Sequence, residues 1–156
     1  MPYVESSIHI QGSRDIAYSM AKEMENYPLY MESVQEVRVL TRDPEENSTI
    51  TKWVTNVDGR VIRWTEKDIF DDEAKTISYR QISGDLKKFE GEWRFQTEGD
   101  GTLVTLTVDF EFGIPMLAGL LNPILKKKTQ ANCEAMLRAI KDHVEKQKFS
   151  RSEDVV

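Results

Sequence analysis

The sequence predicts an α+β domain in which a strongly curved antiparallel sheet of seven strands wraps one long C-terminal helix. Three observations carry this. Phe89, Gly91, Trp93 and Phe95 alternate with Glu90, Glu92, Arg94 and Gln96, the period of 2 that marks a strand with one wet face. After the loop Glu98-Gly99-Asp100-Gly101, a second such strand holds Val104, Leu106, Val108, Phe110 and Phe112 in phase. Past Gly113-Ile114-Pro115 the pattern becomes that of a long helix. A curved sheet closed by one helix can enclose a pocket, so a small-molecule site is the leading expectation.

The elements follow in order. Val4 to Gln11 alternates Val4, Ser6, Ile8 and Ile10 against Glu5, Ser7 and His9, and reads as a first strand. Gly12-Ser13 ends it, with Ser13 placed as a helix N-cap. Ile16, Ala17, Met20, Ala21 and Met24 then form one helical stripe. Asn26-Tyr27-Pro28 breaks that helix, and Leu29 to Val34 reads as a second short helical turn. Further strands run from Val37 to Arg42, Thr49 to Val57, Arg60 to Phe70 and Lys75 to Ser83. Asp58-Gly59 between two of them is a two-residue hairpin signal, and short sequential connections favour antiparallel neighbours. The last element, Met116 to Lys148, carries Leu117, Leu120, Leu121, Ile124 and Leu125 on a wide apolar face, then Met136, Ile140 and Val144 on a narrower one. Pro123 predicts a kink or break inside it. Residues 1–149 read as one ligand-binding domain and 150–156 as a frayed polar tail.

Composition bounds the function. A chain of 156 residues fits one domain, and 39% hydrophobic residues suffice for a core. The net charge of −6 argues against general nucleic-acid binding, which needs phosphate-neutralising cations. No apolar run reaches the ~18 residues of a membrane span, and Met1 to Glu5 shows no basic and apolar leader pattern. Cys133 is the single cysteine, so no internal disulfide can form. Together these read as a soluble cytoplasmic protein.

Most catalytic chemistries lack support. The glycines have no phosphate-loop spacing. His9 and His143 stand far apart without partners, so neither a metal site nor a cofactor is expected. Cys133 on a helix among apolar residues reads as core. Lys126-Lys127-Lys128 reads as a solvated charge run, with transient contact to anionic lipid as the alternative.

The strand from Arg60 to Phe70 is different. Ile62, Trp64 and Phe70 share one face with Glu66 and Asp68, while Arg63, Thr65 and Lys67 take the other. Inward apolar residues therefore bring two carboxylates with them. Such groups are costly unless they line a wet pocket or meet a cation, and Arg80, in phase with Ser78 and Ile82, is a candidate partner. A register slip or bulge would instead leave the two acids at the rim.

The layout resembles the START-like superfamily with the helix-grip fold, in the branch of polyketide cyclase/dehydrase and Coq10-type proteins. The similarity runs from about Val4 to Val144. It rests on the strand-helix opening, Asn26-Tyr27-Pro28, the Gly59-to-Trp64 hairpin, Phe89-Glu90-Gly91-Glu92-Trp93-Arg94-Phe95, Gly101-Thr102, Gly113-Ile114-Pro115 and the final helix. The resemblance implies a hydrophobic ligand held between sheet and helix, walled by Tyr27, Met31, Val34, Trp53, Trp64, Phe89, Trp93, Leu117 and Leu121, with Arg80 orienting a polar head. Against the family's aromatases, Arg80, Trp93 and Tyr27 match pocket positions, but a pocket tyrosine falls at Val34. A serine and an arginine fall at Glu66 and Asp68. Aspartate in place of arginine would repel an oxyanion.

Two functions follow as expectations. The first is a carrier or sequestering protein for a polyketide-like aromatic, quinone, isoprenoid or lipid. The second is a cyclase/dehydrase-like enzyme using Glu66, Asp68 and Arg80 for acid-base chemistry on an enolisable carbonyl.

Overall fold

The alternating segments form one antiparallel sheet of seven strands: β1 (Tyr3–Ile10), β2 (Val34–Asp43), β3 (Ser48–Val57), β4 (Arg60–Asp71), β5 (Thr76–Gly84), β6 (Lys88–Glu98) and β7 (Gly101–Glu111). Helix α1 (Arg14–Lys22) and a 3-10 helix (Met24–Leu29) separate β1 from β2, and α2 (Ala118–Asp154) follows β7. This computed structural model describes residues 3–57, 59–111 and 118–154, the side chains of 57, 118–122, 125 and 147–154 excepted.

Strand order is β1-β7-β6-β5-β4-β3-β2. Strands β2 to β7 form a meander because each turn is short, and β1 then pairs with β7 from Tyr3↔Asp109 to Ile10↔Thr102. Register follows burial. On β7, Val104, Leu106, Val108 and Phe110 face the core, each at most 3% exposed, which a one-residue slip would reverse.

Local chemistry sets the helices. Ser13 caps α1 by accepting from the Ile16 N–H at 3.1 Å, a contact that contributes about 1 kcal/mol. The helix ends at Lys22, earlier than the sequence suggested. Asn26-Tyr27-Pro28 lies inside the 3-10 helix, and Val34 begins β2 rather than ending a helical turn. Pro28 has no N–H to give, a loss the tighter 3-10 turn tolerates near its end.

Cys133, Leu137, Ile140 and Val144 are buried along α2, a helical seam that packs onto the sheet. Polar bonds fasten the same helix to β1 and the residues just after it. Lys141 Nζ donates to the His9 carbonyl at 3.0 Å, the Gln11 N–H donates to Glu145 Oε2 at 2.9 Å, and Gln130 reaches Ser6. Helix α2 is continuous across Pro123, so the expected break is absent, and it extends past Lys148 to Asp154. Residues 155 and 156 of the expected tail lie outside the described residues.

Candidate functional site

Alternation on β4 buries Ile62, Trp64, Glu66, Asp68 and Phe70 together. Glu66 is 3% exposed and Asp68 0%. A bulge does occur beside them, between Thr65 and Glu66 in the pairing with β5, but the extra residue is Ile82 on β5. Strand β4 keeps its phase, so both acids stay inward.

Strand β3 supplies their partners. Thr51 lies opposite Glu66, and Thr49 opposite Asp68. Both threonine hydroxyls donate to Asp68 Oδ2, at 3.1 Å from Thr49 and 2.6 Å from Thr51. Trp53 Nε1 donates to Thr51 Oγ1 at 2.8 Å, and Trp64 Nε1 donates to Glu66 Oε1 at 2.7 Å. Asp68 Oδ1 is buried and receives no hydroxyl or N–H.

Burial pushes the Glu66 carboxyl well above the usual carboxylate range, and the charge of Asp68 pushes it further; only the Trp64 bond opposes. Asp68 is also raised by burial, while hydrogen bonds from Glu66, Thr51 and Thr49 pull it back. Two adjacent buried carboxyls therefore both hold protons more tightly than free carboxyls do, and the two titrate as a pair. Tyr27 and Tyr79 have phenols raised first by burial and also by these acids, which places all four groups in one interior.

The surrounding wall is aromatic. Trp53 and Trp64 stack, Trp64 meets Phe89 at 4.8 Å between ring centroids, and Tyr27 meets Trp53 at 5.7 Å and Trp93 at 6.2 Å. Met31 and Val34 are buried in the same cluster. Cys133 also faces this interior from α2; burial pushes its thiol up to about 12, which leaves little thiolate for nucleophilic work.

Arg80 does not join this site. Strand β5 holds two competing phases, Ile77 with Tyr79 and Ser78 with Arg80 and Ile82. The chain buries the first, which removes two large side chains from water and leaves a guanidinium in it. Arg80 lies on the outer face between Lys67 and Glu90. Leu117 lies outside the described residues, as does the side chain of Leu121.

Sequence reasoning missed Thr49, Thr51 and Tyr79. The signal for the threonines was present: they alternate with Trp53 and Thr55. Tyr79 crosses over Gly91 to donate to the Thr107 carbonyl at 2.6 Å. A Cβ on Gly91 would stand 2.6 Å from that hydroxyl and 2.0 Å from the carbonyl, so only glycine admits the crossing.

A cleft of about 990 Å³ opens between α2 and the segment after the 3-10 helix, lined among others by Tyr30, Met31, Asn56, Met136 and His143. Tyr30 and His143 stack at 4.0 Å with planes 6° apart, and burial lowers the His143 imidazole. Among the described residues no group of three or more His, Cys, Asp and Glu could hold a metal ion, and no helix is long and apolar enough to cross a membrane.

A curved meander gripping one long helix is the START-like, helix-grip architecture, and comparison with known proteins agrees. Residues 10–137 match the family model described as polyketide cyclase / dehydrase and lipid transport, and the chain belongs to that family. TTHA0849 from Thermus thermophilus is 32% identical, with a TM-score of 0.88 over 94% of this chain and 99% of that one. The Zhui aromatase/cyclase from Streptomyces sp. R1128 is 20% identical, with a TM-score of 0.83 over 93% of this chain and 94% of that one, a likeness of fold. In sequence, the actinorhodin polyketide synthase bifunctional cyclase/dehydratase of Streptomyces coelicolor is 33% identical over 109 residues, 69% of this chain. The chain spans only 34% of that relative's length.

Proposed function

We propose that this chain binds an apolar small molecule between the sheet and α2, as a carrier or sequestering protein for a polyketide-like aromatic, quinone, isoprenoid or lipid. One observation carries the reading. Tyr27, Trp53, Trp64, Phe89 and Trp93 form a continuous aromatic wall that also holds a small polar layer, the usual make-up of a ligand site. A matching family described by polyketide cyclisation and lipid transport supports it. Native mass spectrometry of gently purified protein, followed by solvent extraction, tests it. A stoichiometric apolar adduct is the expected result; a clean apo mass together with an empty extract counts against carriage.

A second reading is favoured by the two adjacent buried carboxyls, both raised above the ordinary carboxylate range. Glu66, protonated where ordinary carboxyls are ionised, could act as a general acid on an enolisable carbonyl, with Asp68 as its base partner. The named cyclase/dehydratase and aromatase/cyclase relatives support that class of chemistry. The double variant Glu66→Gln, Asp68→Asn separates the two readings: catalysis would fall by 100-fold or more on the scale of ~10²–10⁴ for general acid-base groups, whereas simple carriage would persist.

A further inference from the structure

We propose that the β3–β4 wall selects a ligand whose polar end donates a hydrogen bond, a hydroxyl or a protonated amine, over one that only accepts or is anionic. The proposal rests on the ligand-binding reading and deepens it.

The argument comes from where each proton on this wall goes. Thr49 and Thr51 give theirs to Asp68, Trp53 to Thr51, Trp64 to Glu66, and Thr55 to the Ile62 carbonyl. Across the interior, Tyr27 donates to the Ala21 carbonyl and Tyr79 to the Thr107 carbonyl. The Glu66 and Asp68 carboxyls interact with each other. A hydroxyl or an indole has one proton to give, so none of these groups can serve a ligand carbonyl or carboxylate without breaking a bond already made. Cys133 adds only a weak S–H donor. Tyr30 Oη, buried and unpartnered, belongs to the flank stacked on His143.

Acceptors show the opposite balance. Asp68 exposes 0% of its surface, and its Oδ1 receives no hydroxyl or N–H. That oxygen has two lone-pair sites, and both stay open. Burial is the largest influence on both acids. Unpaired buried charge is costly. A donor brought by a ligand relieves that cost, and an anion adds to it.

The test is calorimetric titration of the whole chain with four probes of one shape: 2-naphthol, 2-naphthylmethylamine, 2-methoxynaphthalene and 2-naphthoate. At least one of the two donors is expected to bind about tenfold or more tighter than the ether and the anion. Naphthol ahead of the amine assigns a hydroxyl head; the reverse order assigns an ammonium. Asp68→Asn, which puts N–H groups where only acceptors stood, is expected to shrink that preference to about twofold or less. Should circular dichroism show Asp68→Asn unfolded, Glu66→Gln perturbs the same balance and is expected to reduce the preference likewise. Equal binding of all four probes, or a lead for the ether or the anion, overturns donor selection while leaving ligand binding intact. Failure of all four to bind also overturns it, and the extraction experiment then decides separately whether the chain carries a ligand.

Discussion

Trp53 and Trp64 sit directly opposite each other on β3 and β4 and stack with ring centroids 5.5 Å apart and planes 9° from parallel. Because the strands are antiparallel, position 51 on one and position 66 on the other lie in the same direction. Both indole N–H groups therefore point the same way, to Thr51 and to Glu66. The stacked pair is one border of the hydroxyl-carboxyl layer.

Thr51 is the hub of that layer, since it accepts from Trp53 and donates to Asp68. Thr51→Val keeps the shape and removes both roles. The variant should lose about 2 kcal/mol or more, because a buried indole N–H and a buried carboxylate each lose a partner. Urea unfolding should show a lower midpoint with unchanged slope; an unaltered midpoint would remove Thr51 from the hub.

The acids make stability depend on pH in a definite direction. Glu66 and Asp68 both hold protons more tightly folded than unfolded. The folded state therefore binds more protons, and their contribution is fully present below the ordinary unfolded carboxylate values. It is lost as pH rises from there through the raised folded values. Glu66→Gln cannot ionise, so its stability relative to the parent should improve steadily as the pH rises above about 4.5. A difference that stays flat across that window, measured by urea unfolding at each pH, would refute the raised Glu66 carboxyl.

Gly91→Ala should destabilise by about 2 kcal/mol or more, on the scale of overpacked interiors. The added methyl meets both the Tyr79 hydroxyl and the Thr107 carbonyl. Tyr79→Phe removes only the first clash, so the double variant should recover part of the loss and no more, a non-additivity readable from thermal melts.

Arg80→Ala provides the contrast. The side chain is exposed on the outer face, so stability should change by no more than about 0.5 kcal/mol, and ligand retention in the mass spectrum should not change. Loss of the ligand would place Arg80 in the site after all.

Strand β4 was fully legible in the sequence because one phase of its alternation holds every large apolar residue from Ile62 to Phe70 except Ile69. That phase carried Glu66 and Asp68 inward with it. Strand β5 was not, because apolar residues occupy both phases, at Ile77 and Tyr79 and again at Ile82. A bulge then breaks the count between them. Thr49 and Thr51 were passed over because threonine suits either face of a strand, and their role shows only once register sets them opposite the acids. The short helices were legible as a pair but not in their bounds, since the 3-10 turn accepts Pro28 where an α-helix would break.

The ties from α2 to β1 have a mechanical consequence. The helix is bound along one edge of the sheet, at Ser6, His9 and Gln11, while the large cleft lies toward β2 and β3. It is placed like a book cover stitched at the spine. The cleft opens at the margin away from the stitching. The polar ties of the helix and its open cleft therefore occupy opposite margins of the molecule.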